Sequence, residues 1–134
     1  MLAAALAGGG AWFVLGGQQT DPDAPAAIKP ALYHKLDPAF VVNVDDRGAL
    51  RYLQVELQVM ARDPAVFTLI DQHGPAVRDA LLDLFGRRAY AELMQPEARD
   101  ALRTDALETI RTSLPDAALA AGIEAVYFTS FVVQ

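Results

Sequence analysis

The chain has 134 residues, room for one domain and a short appendage. Its 11 Lys and Arg against 17 Asp and Glu give a net charge of −6, with the basic residues scattered singly or in pairs, so nothing forms the cationic stripe that nucleic acid requires. With no cysteine, thiol catalysis, disulfides and thiolate-held zinc or iron–sulfur clusters are excluded.

The first 17 residues carry no charge. Leu2, Leu6, Trp12, Phe13, Val14 and Leu15 stand among Ala and Gly in a run that would make a helix of ~25 Å, slightly short of the ~30 Å hydrocarbon core. This is read as a transmembrane anchor, with bilayer thinning or residues upstream of Met1 making up the length. A secretory signal peptide is the rival, because Ala24-Pro25-Ala26 echoes a small-residue cleavage site. Neither has the usual Lys or Arg flank, which suggests that Met1 is internal to a longer natural N-terminus. A buried helix ranks last, because five glycines between Gly8 and Gly17 disfavour a helix in water.

Residues 18–31 read as a linker: Asp21, Pro22, Asp23, Pro25 and Pro30 break any period, and the stretch from Gln18 to Pro30 reaches at most ~45 Å. A folded domain is expected over 32–134. Phe40, Val42 and Val44 alternate with Val41, Asn43 and Asp45 as a strand, and Asp45-Asp46-Arg47-Gly48 has the chemistry of a hairpin turn. The return strand has the clearest period of two, with Leu53, Val55, Leu57, Val59 and Ala61 on one face and Tyr52, Gln54, Glu56, Gln58 and Met60 on the other.

Asp63-Pro64 reads as the N-cap and first residue of a helix with Val66, Phe67 and Ile70 inward. Gly74-Pro75 restarts the chain into a second helix, whose Val77, Ala80, Leu81, Leu84 and Phe85 share a face. A third runs from Pro96-Glu97 to about Ser113, with Ala98, Leu102, Ala106 and Ile110 buried and Arg99, Asp100, Arg103, Asp105, Glu108 and Arg111 solvated. Pro115 and Gly122 bracket a loop. The last nine residues, Val126 to Gln134, are rich in β-branched and aromatic types at both parities, which predicts a strand covered on both faces, with Phe128 and Phe131 on opposite sides. The expected fold is α+β: a small, mostly antiparallel sheet packed with about three helices.

Chemistry is sparse. Neither His34 nor His73 is spaced for a zinc site, and Asp71-Gln72-His73 reads as a solvated helix end, where a histidine suits the dipole. Arg87-Arg88 follows the second helix, where positive charge is also favourable. Ser113 and Ser130 lack a nucleophile-elbow setting, and Gly8 to Gly10 lack that of a phosphate loop. No catalytic residue, metal, cofactor or small-molecule substrate is expected.

The domain nevertheless carries an ordered set of short motifs. Tyr33-x-x-Leu36 leads into Pro38-x-Phe40-x-x-Asn43; Arg51-Tyr-Leu-Gln-Val55 follows; Arg78-Asp79 opens the second helix and Leu102-Arg103 lies in the third; Val126-Tyr-Phe-Thr129, Phe131 and Gln134 close the chain. In this order and spacing the chain resembles the FliL family, flagellar basal-body proteins of the bacterial inner membrane. The resemblance implies a single-pass protein whose periplasmic domain is similar to the stomatin and prohibitin fold. It also implies a homo-oligomeric ring around the stator proteins MotA and MotB, supporting torque and motility without catalysis. Such a ring needs self-complementary sides, for which the candidates are the outward strand residues Gln54, Glu56 and Gln58 and the helix residues Arg99 and Arg103. A stomatin-like or secreted periplasmic scaffold unrelated to flagella is the other reading.

Overall fold

The structure is a computed structural model that describes residues 28–134. The proposed anchor, with Leu2, Leu6, Trp12, Phe13, Val14 and Leu15, lies outside the described residues, as does residues 18–27 of the linker. The chain runs β1 (Leu32–Lys35), β2 (Phe40–Asp46), β3 (Ala49–Ala61), α1 (Pro64–Gln72), α2 (Gly74–Gly86), α3 (Tyr90–Leu93), α4 (Ala98–Ser113), α5 (Ala117–Ala120) and β4 (Ile123–Val133).

Everything in the sheet pairs with β3, and each ladder is antiparallel. Residues of β2 pair with Ala49 to Val55 and residues of β1 with Gln58 to Ala61. β4 pairs with Leu53 to Ala61 and so occupies the opposite edge. β1 and β2 are thus two halves of one broken edge strand, separated at Asp37-Pro38. β1 is too short and too polar to show a period, so the sequence alone predicts strands only from Phe40. β2 and β3 meet through the two-residue turn Arg47-Gly48, at φ 53° and 87°, the left-handed pair that suits the twist of a tight hairpin. The Asp45 carboxylate accepts from the Gly48 N–H at 3.0 Å.

The alternation expected along β3 holds: Leu53, Val55, Leu57, Val59 and Ala61 are completely buried. Helices cover that face. Asp63 caps α1, accepting from the Ala65 N–H at 2.9 Å, and Val66, Leu69 and Ile70 point inward, with Phe67 only half-buried. α2 buries Val77, Leu81 and Phe85, while α4 buries Leu102, Ala106 and Ile110. Phe85 is the hub. Its ring meets Phe40 at 5.6 Å and Phe128 at 6.1 Å, both edge-on, a geometry that adds about 0.5–1.5 kcal/mol per pair beyond burial. Among the described residues there are five helices rather than three, because single turns form at α3, which is too short to show a period, and at α5, inside the loop predicted between Pro115 and Gly122. Asp116 nucleates α5 by accepting from the Leu119 N–H at 3.0 Å.

β4 corrects the sequence reading. It is covered on one face only: Tyr127 and Val132 are about two-fifths exposed, while Ile123 and Val126 are buried and Phe128, Phe131 and Val133 pack partly into the core. Phe128 and Phe131 lie on the same side, with ring centroids 5.7 Å apart. The cause is a pair of register shifts. Leu57 pairs with Phe128 but Glu56 with Ser130, and Met60 pairs with Ala125 but Ala61 with Ile123. Each leaves one extra residue in β4 and reverses the parity that follows, so the inward set is Ile123, Val126, Phe128, Phe131 and Val133. Apolar residues at both parities were the sign of bulges rather than of a strand buried on both faces.

Deleting Thr129 alone should therefore remove the bulge and keep Phe131 opposite Val55, whereas deleting Thr129 and Ser130 together should turn Phe131 and Val133 outward and destabilise the domain by roughly 2–4 kcal/mol, the scale of lost core side chains. Thr129→Ala should stay within about 1 kcal/mol, because it forfeits one hydroxyl contact to the Glu56 carbonyl at 3.3 Å. Urea unfolding of the two deletions and of Thr129→Ala checks this; equal stability of the single and the double deletion would exclude strand parity as what holds Phe131 and Val133 in the core.

Candidate assembly surfaces

Three long-range contacts fix the surfaces of the domain. The Arg78 guanidinium of α2 forks onto two carbonyls of the break between β1 and β2, donating to Pro38 at 2.8 Å and Ala39 at 2.9 Å. The same group lies over the Phe40 ring at 4.2 Å. Arg88, just past α2, pairs with Asp105 of α4. His34 of β1 stacks on Phe67 and bonds to Asp71 at 2.8 Å, which joins the first strand to α1. The Asp71 carboxylate is thus engaged by His34 rather than by its neighbour His73, which forms the junction of α1 and α2. Arg87 pairs with Asp83 one turn back on α2.

The far face of the sheet carries no helix among the described residues. Gln54 is exposed there, in register with Val41 on one side and Val132 on the other. Glu56 and Gln58 are half-buried; Glu56 lies 3.9 Å from the Lys35 ammonium, and Gln58 stands between Lys35 and Tyr127. The structure thus brings these three together and adds apolar neighbours that the sequence reading did not single out. Tyr33, Val41 and Tyr52 are more than half exposed, and Tyr33 and Tyr127 approach to 6.1 Å between ring centroids. Strand alternation already placed Tyr52 on this face, whereas the bulges of β4 hid Tyr127 and Val132.

The two arginines are positioned separately. Arg99 caps the opposite, core side of the sheet, with its guanidinium 4.9 Å from the Phe131 ring. Arg103 pairs with Asp100 and lines a groove between α4 and β4 shared with Glu124 and Tyr127. Gln58 and Arg103 therefore both border Tyr127, while Arg99 and the strand residues lie on different faces. The exposed edge of β4 is itself blunted. Its two bulges interrupt the regular spacing that a further strand would need, and Arg111 donates twice to the Ile123 carbonyl, with Nε at 3.1 Å.

This domain, from the Tyr33-x-x-Leu36 lead through Arg78 to the closing strand, coincides with a known family. Residues 33–134 match the family described as flagellar basal body-associated protein FliL. This chain belongs to the FliL family. It is 31% identical over 113 residues to the flagellar protein FliL of Aquifex aeolicus (strain VF5), an alignment covering 83% of this chain and 68% of that protein. It is 28% identical over 102 residues to the flagellar protein LafL of Vibrio parahaemolyticus serotype O3:K6 (strain RIMD 2210633), covering 76% of this chain and 61% of the relative. Membership associates the chain with the flagellar basal body. Among the described residues no helix is long and apolar enough to cross a membrane.

In this FliL-family domain, Pro38, Phe40 and Arg78 of the ordered motifs form one clasp. Arg78→Ala should destabilise it by about 1–3 kcal/mol through two carbonyls left without a donor, and Arg78→Lys should recover only part, because an ammonium cannot present the planar fork. Thermal and urea melts test this; equal stability of Lys and Arg would show that the fork geometry is immaterial.

Proposed function

We propose that the chain is a non-enzymatic flagellar protein that forms a ring around the stator units MotA and MotB, steadying them and thereby supporting torque. The family match across residues 33–134 carries this reading. In it, residues 1–17 anchor the protein in the inner membrane, residues 18–31 lift the domain off the bilayer, and residues 32–134 form a stomatin-like domain in the periplasm. Support for a mechanical rather than a chemical role comes from the surface: the uncovered sheet face carries tyrosines and uncharged amides, suited to contact between proteins.

Assembly would use that face, with Gln54, Glu56 and Gln58, together with the α4 arginines. Arg103 suits it better than Arg99, since it borders the same Tyr127 as Gln58, whereas Arg99 already packs on Phe131. Charge complementarity of this kind sets register and orientation more than affinity.

Reversing both arginines, Arg99→Glu with Arg103→Glu, should weaken assembly while leaving the domain folded, and swimming should suffer most under high viscous load. Ring isolation and tethered-cell torque measurements check it. Intact rings and normal high-load motility would refute the residue assignment, and normal motility after deletion of the whole protein would remove the stator role. For the anchor, alkaline carbonate should leave the full chain in the membrane pellet; a mature protein starting between Ala24 and Ala27 would exclude it.

A further inference from the structure

One end of the domain presents a knob beside a groove. The knob is the tip of the β2–β3 hairpin. Leu50 there is 70% exposed, the most exposed large apolar side chain of the sheet. Arg47, on the same turn, is exposed and pairs with no carboxylate among the described residues. Arg51, in contrast, is held by Asp46 at 2.8 Å and lies 4.4 Å from the Tyr90 ring; the Asp46 hydrogen bond raises its pKa above the ordinary arginine value, so it stays charged.

The groove lies between α3 and α4. Its volume is about 270 Å³, several times the ~30 Å³ share of one water, and Leu93, Ala98, Ala101 and Leu102 make its floor and walls predominantly apolar. On its rim Glu92 and Glu97 are exposed, and neither carboxylate has an ion-pair partner among the described residues; Arg88, also on the rim, is taken up by Asp105. An apolar hole with two free carboxylates suits an aliphatic side chain accompanied by a cation.

We propose that the groove receives the hairpin tip of a second copy, with Leu50 seated in the hole and Arg47 against Glu92 and Glu97. This rests on the self-association that the ring reading requires, and names the contact. The chain's own N-terminal segment is a poor occupant by charge, since residues 1–27 hold no Lys or Arg and do hold Asp21 and Asp23. Knob and groove share one end of the domain: Asp45 bridges to Ala89, and Arg51 stacks on Tyr90, the first residue of α3. Leu50 shares the parity of Tyr52 and Gln54 and so belongs to the uncovered face, whereas the groove lies among the helices, so the tip of one copy meets the groove of the next head to tail, the kind of contact that closes a ring.

The test uses full-length chain in mild detergent, with association constants from sedimentation velocity and folding verified by circular dichroism. Arg47→Glu alone, and Glu92→Lys with Glu97→Lys alone, should each weaken self-association at least tenfold. Mixing the two variants should restore it, because each tip then meets a groove of opposite sign. Leu50→Ser should weaken association irrespective of charge. Wild-type association left unchanged by all three variants would overturn this contact while leaving a ring built through another surface intact. A monomeric wild type would overturn both. Variants that weaken association but are not rescued by mixing would overturn the pairing of Arg47 with Glu92 and Glu97.

Discussion

The alternation of one strand governs this domain. β3 is 13 residues long, lies between both edges of the sheet, and commits five consecutive inward positions, Leu53 to Ala61, to complete burial. A slip of one residue would exchange those five for Tyr52, Gln54, Glu56, Gln58 and Met60, placing a carboxylate in the core. Register is therefore strongly specified, and each neighbour inherits it. β2 is set by the two-residue turn, while β4, arriving after more than 60 residues of intervening chain, matches β3 through two bulges. The helices then close over a face whose composition they do not determine.

How legible a feature was depended on how far its cause lay along the chain. The period of β3, the Asp63 cap and the buried stripe of α4 are local, and the sequence shows them. The bulges are invisible because an inserted residue looks like a second apolar face; only the pairing of Val55 with Phe131 and Leu57 with Phe128 reveals that both aromatics point inward. The single-turn helices α3 and α5 are too short for a period. Arg78, Arg88 and His34 each act on partners between 17 and 40 residues away, and no spacing rule connects them. For the proposed assembly residues, sequence supplied the outward trio on β3 but not their tyrosine neighbours, nor the separation of Arg99 from Arg103.

The ordered motifs now have a physical meaning that is mainly architectural. Pro38, Phe40 and Arg78 form the clasp at the broken edge strand. Tyr52 and Gln134 exchange backbone hydrogen bonds at 2.9 and 2.8 Å, which pins the last residue to β3. Leu102 is buried, and Phe131 holds Arg99. These positions maintain the scaffold, so the FliL family likeness speaks to fold first, and function must reside on the surfaces that the scaffold presents.

Assembly through those surfaces is the central functional claim, and the absence of native cysteine makes it directly testable. Gln58 and Arg103 both border Tyr127, on the surface proposed to meet a neighbouring copy. A single cysteine at each position in turn, labelled with a benzophenone maleimide and irradiated in swimming cells, should yield covalently linked copies whichever residues of the neighbour it meets. Linked copies should disappear when the domain is unfolded before irradiation. Efficient crosslinking at exposed control positions on α2 with none at Gln58 or Arg103 would contradict the claim.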